Sequence, residues 1–125
     1  MLLVADANII FSFFNPKSKA REIILSGDVE IFSPLFLLEE IEEHKEEIKE
    51  KFGLNELQFS LTIELIKALV RFVPLEEFKE YIEEGKRISP DVNDIQYFSL
   101  ALKMNVPIWS NDKKLKQQSK VKVFS

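Results

Sequence analysis

The sequence predicts a three-layer α/β/α sandwich with a central, mostly parallel sheet. Short apolar segments alternate with longer stretches of helical periodicity, in the order β-αα-β-αα-β-αα-β-α-β, the third strand being a short edge strand. The first segment, Leu2–Ala5, is apolar at every position, as expected of a central parallel strand covered on both faces. Acids stand just beyond two of the strands, Asp6 after Leu2–Ala5 and Asp112 after Ile108-Trp109, which is where the carboxyl edge of such a sheet presents ligand-binding residues. Right-handed crossovers leave few other topologies. With 125 residues and no linker, repeat or low-complexity tract, one domain spanning 1–125 is expected.

The elements follow in order. Ile9–Phe14 is apolar all round and reads as a buried helical turn, broken by Asn15-Pro16. Ser18–Ser26 is a short helix closed by Gly27. Glu30–Ser33 is the second strand. Ser33-Pro34 then has the form of a helix start, Ser as N-cap and Pro at the first helical position, for a helix running from Pro34 to about Lys51. That helix places Leu38, Ile41, Ile48 and Phe52 inward and ends at Gly53. Asn55–Val70 carries two apolar stripes, Leu57/Leu61/Leu65 and Phe59/Ile63/Ile66/Val70, so it is either deeply buried or part of a partner interface. Arg71–Pro74 suits an edge strand, where Pro74 is tolerated. Leu75–Lys86 reads as a helix with Phe78, Tyr81 and Ile82 inward. Ile95–Lys103 is a helix stopped by Asn105-Val106-Pro107, and Ile108-Trp109 and Val121–Phe124 are the last strands.

Composition excludes several classes. The chain is 46% hydrophobic, too apolar for a disordered protein, yet no run approaches the roughly 18 apolar residues of a membrane span. The Met1–Asp6 segment lacks a basic n-region and reaches an acid too early for a signal peptide, so a cytoplasmic protein is expected. Zero cysteines remove disulfides and thiolate metal sites. A net charge of −4 argues against a simple nucleic-acid-coating module. Local distribution differs from the sum: Lys113, Lys114 and Lys116 lie beside Asp112, where they are candidates for phosphate contact.

The acids are the chemically informative residues. Strand ends and helix starts bring Asp6, Asp94 and Asp112 toward one edge, and the second strand feeds the helix carrying Glu39 and Glu40. Such a cluster repels itself and raises its own pKa values unless something compensates. Oxygen donors without Cys or His suit a hard cation, Mg²⁺ or Mn²⁺, which at a strand edge activates water and stabilises charge on a phosphate. Phosphodiester hydrolysis is the chemistry implied. Each acid also has a plainer reading. Asp91 and Asp112 are placed to cap helices, Asp94 suits the positive end of a helix dipole, and Glu39 and Glu40 sit in a Glu-rich solvated run. Asp6, closing an apolar central strand, has few structural reasons to be an acid. His44 reads as a surface histidine and Trp109 as core.

LVADANIIF, PLFLLEEI, DVNDIQYFSLAL and PIWSND together resemble the PIN-domain family, which includes the VapC-type toxin ribonucleases of prokaryotic toxin–antitoxin pairs. The resemblance covers nearly the whole chain. It implies metal-binding acids at Asp6, Glu40, Asp94 and Asp112, with Asp91 as the extra acid of some members, Ser110 as the hydroxyl residue near the last acid, and Asn8 as a supporting residue beside Asp6. Glu39 matches the spacing from Ser33 found in some members, whereas Glu40 keeps the following apolar residue; Glu40 is the match adopted. The activity implied is a Mg²⁺- or Mn²⁺-dependent endoribonuclease acting on single-stranded RNA, homodimeric and neutralised by a small antitoxin.

Two other classes bear weighing. A PIN-fold module that binds RNA or protein with little catalysis would share the fold, but the intact acid set argues against it. A receiver-like signalling domain would need an acidic pair after the first strand and a Lys after the fifth, whereas here Asp6 stands alone and the chain ends at Phe124-Ser125.

Overall fold

Leu2–Ala5, the apolar run that opens the chain, forms the middle strand of a five-stranded parallel sheet in the computed structural model, which describes residues 1–125. The strands are β1 (Leu2–Ala5), β2 (Glu30–Pro34), β3 (Val70–Val73), β4 (Ile108–Trp109) and β5 (Val123–Phe124), in the order β3-β2-β1-β4-β5. Every neighbouring pair is parallel, so each connection must cross over a face of the sheet, and helices cover both faces. The result is the three-layer α/β/α architecture. Val4 and Ala5 are fully buried, as a strand covered on both faces requires.

The helices are α1 (Ala7–Phe11), α2 (Lys19–Leu25), α3 (Leu35–Glu43), α4 (Lys45–Phe52), α5 (Glu56–Leu69), α6 (Ile82–Ile88) and α7 (Ile95–Met104). Their apolar faces join the sheet in one cluster of 26 buried residues. Ser18 caps α2 by accepting from the Arg21 N–H, and Asn55 and Gln58 form a reciprocal capping box on α5. Helix α7 packs on α6, β1 and β2. Gly85 permits that approach, because a Cβ there would collide with the Ser99 hydroxyl of α7 and stand 3.0 Å from the Ile95 carbonyl.

Four local expectations are corrected. Ser33 does not cap a helix. Pro34 is extended (φ −64°, ψ 143°) and remains in β2, so α3 starts at Leu35, while the Ser33 hydroxyl donates to the Ala5 carbonyl at 3.0 Å. A cross-strand partner displaced the local cap. The long helix from Pro34 is two helices, because His44 leaves helical dihedrals (ψ 22°); beyond the break Ile48 is buried and Phe52 meets Phe14, which stacks on Phe59. Leu37 rather than Leu38 is the buried leucine of α3. Leu75–Tyr81 forms two 3-10 turns instead of α-helix, in keeping with the three-residue spacing of Leu75, Phe78 and Tyr81. Only Phe78 of that set is fully buried.

Only one stripe of α5 is covered. Phe59, Ile63 and Ile66 are buried, whereas Leu57 and Leu61 are 66% and 61% exposed. No helix is long and apolar enough to cross a membrane.

Candidate functional site

The strand order reverses between β1 and β4: the chain steps outward on one side from β1 to β3, then resumes on the other side at β4. In an open α/β sheet the crevice at such a switch, beyond the strands' carboxyl ends, is the ligand position. Asp6 leaves β1 there, and Ser110 and Asp112 leave β4 beside it.

Asp6 is 4% exposed and caps α1, its Oδ1 accepting from the Ile9 N–H at 3.1 Å. Its Oδ2 accepts from the buried Ser110 hydroxyl at 2.5 Å. Ser110 in turn accepts from the Asp112 N–H at 2.9 Å, and Asp112 Oδ1 accepts from the Lys114 N–H at 2.9 Å, capping the turn Lys113–Gln117. One hydroxyl thus joins the buried Asp6 carboxylate to the backbone N–H of exposed Asp112. Burial pushes the Asp6 carboxyl above its ordinary pKa, with a further rise from Asp112, against the lowering effect of the Ser110, Ile9 and Asn8 hydrogen bonds.

The opposite wall comes from α3 and α7. Asp94 precedes α7 but makes no side-chain capping bond. Its pKa is pushed up to about 6, first by burial and then by the charges of Asp91, Asp6 and Asp112, with Lys114 pulling it down. Asp94 and Glu40 line one cavity of about 490 Å³ with Phe36, Ile95 and Tyr97. Glu39 is exposed and not among its walls. Asp91 caps the turn Val92–Asp94 and pairs with Lys114 Nζ at 3.6 Å. Lys113 is exposed, and Lys116 Nζ donates to the Ser125 hydroxyl at 2.6 Å. Asn8 and Glu40 share the wall of a second groove, of about 640 Å³, alongside Phe11, Ser12 and Lys51. His44 is a surface residue beside Glu47, and Trp109 belongs to the core.

Asp91, Asp6 and Asp112 therefore act on Asp94 electrostatically, whereas Glu40 joins them through the cavity it shares with Asp94. No three Asp, Glu or His side chains stand close enough to clamp an ion as positioned. The chemistry of the donor set still fits a hard cation, since every group is an oxygen donor and Glu40 and Asp112 are exposed. One residue escaped sequence reasoning. Tyr97, on α7 one turn after Asp94, is 2% exposed, and its hydroxyl is the one buried side-chain polar atom without a hydrogen-bond partner. Burial, then the charges of Asp6, Glu40 and Asp94, drive its pKa far above the ordinary tyrosine value. The signal that points to it is its placement at i+3 from Asp94 on the same helix.

A PIN domain model matches residues 4–121. The chain belongs to the PIN-domain family. Its fold is similar to a chain in the crystal structure of VapBC2 from Rickettsia felis bound to a DNA fragment from their promoter, with a TM-score of 0.73 and 16% identity over 99% of this chain and 98% of that one. A comparison with curated proteins finds no match. PIN domains are in general nuclease-like and use divalent cations, and both acid-bearing strand ends lie inside the matched span.

Proposed function

We propose that this PIN-domain protein is a Mg²⁺- or Mn²⁺-dependent endoribonuclease that hydrolyses phosphodiester bonds of single-stranded RNA in the cytoplasm, as the toxin of a toxin–antitoxin pair. One observation carries the reading: Asp94 is half-buried without a side-chain capping bond and is raised to about 6 in part by Asp91, Asp6 and Asp112, so the edge concentrates negative charge that a cation would relieve. Asp6, Glu40, Asp94 and Asp112 are the proposed metal ligands, with Asp91 beside them. A bound cation supplies an activated water and neutralises charge developing on the phosphate. Ser110 holds Asp6 and, by accepting from the Asp112 backbone, fixes the turn that presents Asp112. Asn8 adjoins Asp6 on the groove side of Glu40. Lys113, Lys114 and Lys116 border the acids and hold RNA phosphates, contacts that position the strand without reading its sequence.

The likeness to a chain of a VapBC2 assembly supports an antitoxin partner. Exposed Leu57 and Leu61 on α5 support a homodimer, because paired apolar side chains on a helix face gain by removal from water. A PIN-fold binding module with little catalysis is the second reading, favoured by the loose spacing of the acids.

The test is cleavage of labelled single-stranded RNA in Mg²⁺, Mn²⁺ or EDTA, beside Asp94→Asn. The expected result is metal-dependent cleavage that falls by two to three orders of magnitude in the variant, the loss typical of one removed charge-stabilising group. Equal cleavage in EDTA, or by Asp94→Asn, contradicts the metal mechanism. Binding of RNA without cleavage would favour the second reading.

A further inference from the structure

We infer that Tyr97 is a positioning residue whose hydroxyl donates a hydrogen bond to Glu40 when the acidic cluster closes on a cation. This rests on the metal-dependent reading above and adds to it a specific partner for the Glu40 carboxylate. A buried hydroxyl without a partner carries a desolvation penalty, and a state in which it gains an acceptor removes that penalty. Geometry selects the acceptor. The Tyr97 ring meets the Phe36 ring edge-on, with centroids 5.6 Å apart. Phe36 and Glu40 stand at (i, i+4) on α3 and so share one face. Side chains on a helix lean toward its N-terminus, which tips Glu40 back over Phe36 and hence toward Tyr97. All three residues line the same cavity, together with Asp94. Asp6 is the poorer acceptor, because Ile9 and Ser110 already donate to its two oxygens. The Tyr97 hydroxyl stays protonated in this surrounding of acids, as a donor must. Once bonded, it would hold the Glu40 carboxylate in one orientation, the role that outer hydrogen bonds play for metal-ligating carboxylates.

The experiment measures Mn²⁺ binding by the electron paramagnetic resonance of free Mn²⁺, for wild type, Tyr97→Phe, Glu40→Gln and the double variant, with metal-free melting of each. Tyr97→Phe removes one oxygen and nothing else. It is expected to weaken Mn²⁺ binding about tenfold while leaving the metal-free melting temperature unchanged or raised, since the lost hydroxyl had no partner. In the Glu40→Gln background the same change should have no further effect. Wild-type affinity in Tyr97→Phe, additive losses in the double variant, or an affinity loss accompanied by a lowered metal-free melting temperature would each overturn the proposal and leave the metal reading intact. If wild type itself takes up no Mn²⁺, the metal reading fails and this proposal fails with it.

Discussion

The two walls of the acidic site are held in different ways. On the sheet side, Asp6, Ser110 and Asp112 form a continuous chain of hydrogen bonds anchored in the central strand and closed by the Lys114 N–H. On the helical side, Asp94 lacks a side-chain cap, Glu40 is exposed on α3, and the Tyr97 hydroxyl has no partner. Both walls carry a carboxyl with a raised pKa, but Asp6 is raised against donors that oppose the shift, whereas Asp94 has only Lys114 opposing its neighbours' charge. The contrast separates framework from function within one cluster. The first wall is set at folding. The second is left unsatisfied, and the proposed cation would satisfy it.

The sharpest way to break that comparison is to remove the hydroxyl that holds the first wall. Ser110→Ala leaves a buried carboxylate without one of its donors and should destabilise the metal-free protein by about 1–3 kcal/mol, read from urea unfolding at pH 7. A loss near zero would mean that the sheet side is no better held than the helical side.

The helical wall predicts the opposite sign. An acid whose folded pKa is raised binds its proton more tightly in the folded than in the unfolded state, so its ionisation opposes folding as pH climbs. Asp94 should therefore lower metal-free stability progressively between about pH 4 and its folded pKa of about 6, and keep that penalty above it. Asp94→Asn should be more stable than wild type at pH 7–8, by about 1 kcal/mol after allowing for the screening of a half-exposed group, and equal to it below about pH 4. A variant less stable than wild type at pH 7 would make Asp94 a structural helix partner.

The smallest effect belongs to the surface pair that borders both walls. Lys114→Ala removes the 3.6 Å contact with Asp91, half of which is solvated, and should change stability by no more than about 0.5 kcal/mol. The same substitution should weaken RNA binding if Lys114 holds a phosphate. A large stability loss with unchanged RNA affinity would reassign it to the framework.

What the sequence makes legible follows the same division. Asp6 can be read because an all-apolar strand ending in an acid is a local pattern, and the β1/β4 switch follows from the alternation of strands and helices. The Asn55 cap and the αL residues Gly53 and Asn105 also follow from neighbours in sequence. Tyr97 does not, because its orphaned hydroxyl depends on α3, far away along the chain. The break at His44 is hidden by a Glu- and Lys-rich run with good helix propensity throughout, and burial of Ile48 with packing of Phe52 on Phe14 overrides it. Ser33 carries a correct local capping signal that a contact with the Ala5 carbonyl outcompetes.

Whether the acids at the β1/β4 switch hold a divalent cation is tested by a thermal scan, without knowledge of the RNA target. Wild type and Asp94→Asn are melted in EDTA and in Mn²⁺ at about 100 times its dissociation constant, where a single bound ion stabilises by roughly 2.7 kcal/mol. Wild type should gain about that much, and Asp94→Asn, equal or higher in EDTA, should lose most of the gain. A wild-type melting temperature unmoved by Mn²⁺ at any concentration would contradict the metal reading.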